Sequence, residues 1–108
     1  MNKHIKVYRN FFSIGDQDVP LCEHCKSSKS VEIHHIFGRG KGKDIIENLV
    51  GLCRQCHKAA HNESKTLELS REDLITIHRY FIMDYAPDYR FNIERVNELL
   101  YHENAQPR

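Results

Sequence analysis

The sequence predicts an α+β fold: a β-hairpin followed by a short helix, stapled by two cysteine pairs and flanked by further helices. Three observations predict it. Two CxxC pairs, Cys22/Cys25 and Cys53/Cys56, are separated by 27 residues. Between them lie two short β-favouring segments joined by a glycine-rich stretch. Helical periodicity then runs from Arg54 toward the C-terminus.

In chain order, Ile5, Tyr8 and Phe12 share one helical face and predict a short first helix within the first fifteen residues. Gly15 to Pro20 reads as a turn, and Cys22-Glu23-His24-Cys25 as a tight knuckle. Val31-Glu32-Ile33-His34-His35-Ile36 alternates β-branched and polar residues and reads as a strand. Gly38, Gly40 and Gly42 exclude a regular element from the loop that follows. Asn48 to Leu52 reads as the second strand, and Arg54 to Asn62 as a helix. Ser70 with Asp73 resembles a capping box opening a helix that Pro87 ends. Phe91, Ile93, Val96, Leu99 and Leu100 predict a last helix capped by Asn92, with a frayed tail from Glu103. His78 and His102 read as helix-surface residues, and His24 as an exposed filler of the knuckle.

A chain of 108 residues fits one domain, residues 1–108, with its motif core at 22–61 and its C-terminal helices at about 70–102. No apolar run approaches the roughly 18 residues that span a bilayer, so no membrane association is expected. The first ten residues show no export-signal pattern, which makes a cytoplasmic location the default expectation. The net charge is +1, too small to announce a polyanionic partner. Its distribution says more: His34 to His61 holds five basic and two acidic residues, whereas Asn62 to Arg108 holds six basic and nine acidic.

In a chain without an export signal, two matched CxxC pairs point to metal rather than disulfides. Zinc favours tetrahedral thiolate coordination in structural sites. The second pair, Cys53 and Cys56, falls where a helix begins and its dipole favours thiolates. This signal is strong for zinc and says little about function.

The residues between the pairs carry more. Adjacent strand residues His34 and His35 point to opposite faces, so they divide labour. His57 and His61, four apart, share one helix face and suit a divalent cation. One strand histidine completes a three-imidazole site with them, leaving the other free to act as a base. Imidazole, with a pKa near 6.5, suits that task at neutral pH.

This pattern of two adjacent histidines, twelve residues, Asn48, eight residues, His57, three residues and His61 resembles the HNH, or ββα-metal, endonucleases. The cysteine pairs resemble the zinc-stapled branch found among bacteriophage and restriction-type members. The resemblance covers Cys22 to His61. It implies a metal-dependent DNA endonuclease in which His35 is the general base and Asn48 holds the loop that orients it. It implies His34, His57 and His61 as ligands of a catalytic divalent cation, with His34 standing where many members have Asp. It implies a structural Zn2+ on Cys22, Cys25, Cys53 and Cys56. Arg39, Lys41 and Lys43 are placed to contact phosphates of the nucleic acid, whose charge dominates binding. Three imidazoles suit Zn2+, Ni2+ or Mn2+ better than Mg2+, which prefers oxygen ligands. The expected partner is double-stranded DNA, with a homodimer or a phage packaging protein as further partners. The competing reading is a non-catalytic zinc module that binds nucleic acid or protein, and it does not require the histidine and asparagine spacing.

Overall fold

The computed structural model describes residues 2–105, and the final three residues of the expected tail lie outside it. Its elements run α1 (Lys3–Phe11), β1 (Glu32–His35), a 3-10 turn (Ile46–Asn48), β2 (Leu49–Leu52), α2 (Arg54–Ala60), α3 (Arg71–Tyr85) and α4 (Ile93–Ala105). The fold is α+β, a two-stranded antiparallel hairpin surrounded by four helices. No described helix is long and apolar enough to cross a membrane.

Two boundaries differ from the sequence expectation. Asn48 belongs to the 3-10 turn before β2 rather than to the strand, because its amide donates locally to the Ile45 carbonyl. The helix α4 continues to Ala105, so Glu103 does not begin a frayed tail; the side chain of His102 lies outside the described residues. The capping box at Ser70 is present in both directions, and Asn92 accepts a hydrogen bond from the Arg95 amide, as the sequence predicts.

The hairpin pairs Glu32 with Leu52, Ile33 with Gly51, His34 with Val50 and His35 with Leu49. All four residues of β2 are buried, so this strand is the central layer of the molecule. On one side, Val50 and Leu52 pack in a cluster that includes Ala59 of α2, Leu74 of α3, and Val96 and Leu99 of α4. On the other, Leu49 packs with Tyr8, Phe12, Ile46 and Ile82. Phe12 also stacks edge-on against Phe81 and Tyr85, which fixes α1 to α3. The C-terminal helices therefore pack on the hairpin.

A buried carboxylate joins these layers. Glu23, in the first knuckle, is 2 % exposed. It accepts hydrogen bonds from the Tyr8 hydroxyl (2.6 Å), the Gly51 amide (3.0 Å) and Nδ1 of His78 (2.7 Å). His78 Nε2 donates to the Ile46 carbonyl at 2.6 Å. Gly51 is required here, since a Cβ would stand 2.6 Å from the Tyr8 hydroxyl oxygen. His78 is thus fully buried, which corrects its reading as a surface residue. Its position on α3 faces the hairpin, and a buried cation-forming ring needs the buried anion opposite. Burial pulls the imidazole pKa down, but the Glu23 charge and the bonds to Glu23 and Ile46 more than offset this, so the net shift is upward.

The four cysteines close the other end of the hairpin. Their sulfurs all lie within 4.8 Å of one another, and those of Cys25 and Cys53 are 3.5 Å apart. Thiolates about 2.3 Å from a tetrahedral zinc have edges of roughly 3.8 Å, so the donor set fits that ion. Backbone amides of Cys25, Cys53 and His24 outweigh burial at Cys22 and bring its thiol down to about 7. Burial, then the neighbouring thiols, push Cys56 up. Such mutual opposition is what a divalent cation compensates. His24 is exposed, as expected, yet its Nδ1 lies 3.4 Å from the Cys56 sulfur.

Two predictions follow from these contacts. Replacing His78 by Gln leaves the Glu23 carboxylate buried without its cation and costs about 3–5 kcal/mol in urea unfolding near pH 6.5. Because the folded-state pKa of His78 is raised, its contribution is complete below about pH 6.5 and is lost as pH rises through the folded value. The gap between parent and variant should therefore narrow as pH rises; a gap that widens on going alkaline would contradict a charged His78. Replacing Cys22 by Ser should remove the bound zinc and abolish cooperative thermal unfolding, since structural zinc contributes on the order of 10 kcal/mol in small domains. Zinc release titration and circular dichroism read both effects.

Candidate active site

Strand alternation sends the side chains of Glu32 and His34 toward α2, and those of Ile33 and His35 toward α1. On the α2 side, one helical turn stacks His57 over His61, and the hairpin brings His34 against both. The ring centroids are 5.0, 4.9 and 4.7 Å apart for His34–His57, His34–His61 and His57–His61. The Nε2 atoms of His57 and His61 are 3.1 Å apart, and one nitrogen from each of the three rings falls within a 4.8 Å group. Imidazole nitrogens about 2.1 Å from one ion sit roughly 3.0–3.4 Å apart, so this set fits a single divalent cation with small side-chain adjustments. His34 is pushed down to about 4, by burial first and then by His57, His61 and His35. It therefore presents a lone pair at neutral pH. Glu32, which the sequence reading passed over, places a carboxylate oxygen 3.7 Å from Nδ1 of His57, on the ring edge away from His61. Carboxylates in that position orient metal-binding imidazoles.

On the other face, His35 is 7 % exposed. Its Nε2 lies 2.8 Å from Oδ1 of Asp44, and the ring of His4 packs 4.7 Å from its own. The hydrogen bond from His35 is the leading cause that holds the Asp44 carboxyl below its ordinary range. Burial, then His35 and Arg39, lower the pKa of His4. Neither His4 nor Asp44 was legible as a site residue. His4 sits in α1, outside the cysteine-bounded motif, and Asp44 in a loop nine residues from its partner.

Asn48 is fully buried and holds the glycine-rich loop at three points. Its Oδ1 accepts from the Phe37 amide at 2.8 Å, and its Nδ2 donates to the carbonyls of Lys43 (2.9 Å) and Gly38 (3.3 Å). Its own carbonyl accepts from the Ile36 amide, extending the hairpin ladder by one rung. Gly38, at φ +80°, lets the chain leave the strand sharply enough for these bonds. Arg95 of α4 fastens the loop's far side, donating to the Gly42 carbonyl at 2.9 Å.

Both faces of β1 open on one cleft of about 500 Å³, lined by His34, His57 and His61 together with His35, His4 and Arg39. Of the three cations expected to meet phosphate, Arg39 lines this cleft, Lys41 is exposed beyond it, and Lys43 turns back to donate to the Phe37 carbonyl at 3.1 Å. Lys43 thus braces the loop. Arg9 of α1 also lines the cleft, with its guanidinium bonded to the carbonyls of Gly15 and Asp18.

Residues 22–63 match the family model described as HNH endonuclease. No curated protein and no solved structure matches the chain. The matched segment contains both cysteine pairs, the hairpin, Asn48 and the α2 histidines. Residues 22–63 thus form a segment similar to the HNH endonucleases, and its four cysteines lie within metal-binding distance of one another, which is consistent with a zinc staple.

Proposed function

We propose that the protein is a metal-dependent endonuclease that hydrolyses phosphodiester bonds in double-stranded DNA. The observation that carries this reading is the convergence of His34, His57 and His61 on one point of a cleft that His35 also lines, inside the HNH segment. In this reading the three imidazoles hold one divalent cation, which supplies positive charge to the phosphoryl oxygens and the leaving 3′ oxygen. His35 takes a proton from the attacking water as the new oxygen–phosphorus bond forms and the bond from phosphorus to the 3′ oxygen breaks, its electron pair staying on that oxygen. Asn48 fixes the chain on either side of the loop and so keeps His35 at its place in the hairpin. Arg39 meets a flanking phosphate. One such cleft cuts one strand, so the elementary product is a nick.

Conversion of supercoiled plasmid to nicked circles tests this, with Mg2+, Mn2+, Ni2+ and Zn2+ supplied in parallel. His35→Ala should lower the rate by about 10²–10⁴-fold while zinc content and folding persist. Inert protein that retains its structural zinc, with every ion, would turn the reading to a binding module. Asn48→Ala should cost about 1–3 kcal/mol, because the Phe37 amide and two carbonyls lose their partner in the interior, and should slow cleavage as well. Denaturation and nicking assays on the same preparation measure the two together.

A further inference from the structure

We infer that Asp44 is a positioning residue for His35: its carboxylate holds the ring in the tautomer that carries its proton on Nε2, leaving Nδ1 as the proton acceptor. The inference rests on the reading of His35 as the base and adds a residue to it. An ionised carboxylate only accepts hydrogen bonds, so the 2.8 Å contact places the hydrogen on Nε2 of His35. The opposite tautomer would set a ring lone pair against a carboxylate lone pair. Among the described residues no other hydrogen bond to the His35 ring is present, so this contact alone selects the tautomer.

The carboxylate is itself held in place. The backbone before it is tied on both sides, by Asn48 at the Lys43 carbonyl and by Arg95 at the Gly42 carbonyl. Asp44 is half-buried, with 28 % of its side chain exposed, and His35 is walled on another side by His4. The ring is thus fixed by a hydrogen bond at one edge and by packing against a second imidazole. When His35 takes a proton on Nδ1, the ring becomes a cation with Asp44 already beside it. A carboxylate behind an imidazole fixes its tautomer and stabilises the charge that forms. The strand supplies the histidine, the turn before β2 the asparagine and the loop between them the anion, all within residues 22–63.

The test uses the full chain, zinc-loaded and labelled with ¹⁵N at histidine. The His35 signals are assigned by their loss in His35→Ala. In the parent, Nε2 should carry the proton and Nδ1 should be bare. Asp44→Ala should mix the two tautomers, and Asp44→Glu should restore the parent pattern at least in part. In plasmid nicking, Asp44→Ala should lower kcat by about 10–100-fold, with KM for plasmid and zinc content unchanged. A merely structural role would leave the tautomer intact. A proton on Nδ1 in the parent, or the same tautomer ratio in Asp44→Ala, would overturn the inference. So would a metal ion found on His4, His35 and Asp44, lost in both His4→Ala and Asp44→Ala. A parent that nicks no plasmid, but whose His35 tautomer still depends on Asp44, would sink the nuclease reading and support the hold of Asp44 on His35.

Discussion

The buried carboxylate of Glu23 is the contact on which the rest of the arrangement depends. It lies one residue after Cys22, so the segment that supplies the first metal-binding thiol also supplies the anion at the centre of the core. Its partners come from α1, β2 and α3, and His78 carries the chain of bonds on to the turn that precedes β2. An uncompensated carboxylate at that depth would be costly. The network therefore forms only when the three elements meet in one register, with Gly51 under Tyr8. The cysteine cluster clamps the knuckle to the start of α2, and Glu23 clamps the same knuckle to the middle of β2. With β2 held at its middle by Glu23 and just beyond its end by the cysteines, the hairpin cannot slip by one residue, a slip that would exchange the faces of His34 and His35.

That exchange matters because the site depends on keeping two kinds of imidazole apart. His34 joins the helix histidines, where one nitrogen from each of the three rings comes close to one point. His35, one residue on, meets the carboxylate of Asp44 at 2.8 Å. Placed on one face, the two histidines would crowd into the same cluster. The pleat separates them, and the cleft around the strand end lets both reach the same space. The glycine-rich loop closes this space with backbone held by Asn48, Lys43 and Arg95, so a stretch whose composition suggests freedom is tied at three places.

Much of this was legible in the sequence, for identifiable reasons. The cysteine pairs, the strand alternation and the i, i+4 histidines are short-range patterns whose geometry is fixed by the backbone, and they place the hairpin, α2 and the three-imidazole cluster. The capping box at Ser70 and the cap at Asn92 are local in the same way. His78 was misread because its helix shows a mixed face, and the anion that justifies its burial lies 55 residues earlier. Asp44 and His4 escaped for a related reason. Their partner is set by how a loop folds back and where α1 docks, and neither leaves a periodic trace. Lys43 shows the converse: a basic loop residue at a plausible place for phosphate is spent on a carbonyl of its own loop.

The donor set also bears on which ions can work. In the reading proposed above, three imidazole donors would bring no negative charge to an ion, which would keep its positive charge for phosphate oxygens. Such a donor set would hold Mg2+, which relies on oxygen donors, less well than Mn2+, Ni2+ or Zn2+. Glu32 brings a negative charge to the back of this cluster, lying 3.7 Å from Nδ1 of His57 on the ring edge away from His61. An aspartate at position 34 would have supplied an oxygen and a charge; the buried imidazole there supplies neither, so in the reading proposed above the cluster would favour softer cations over Mg2+.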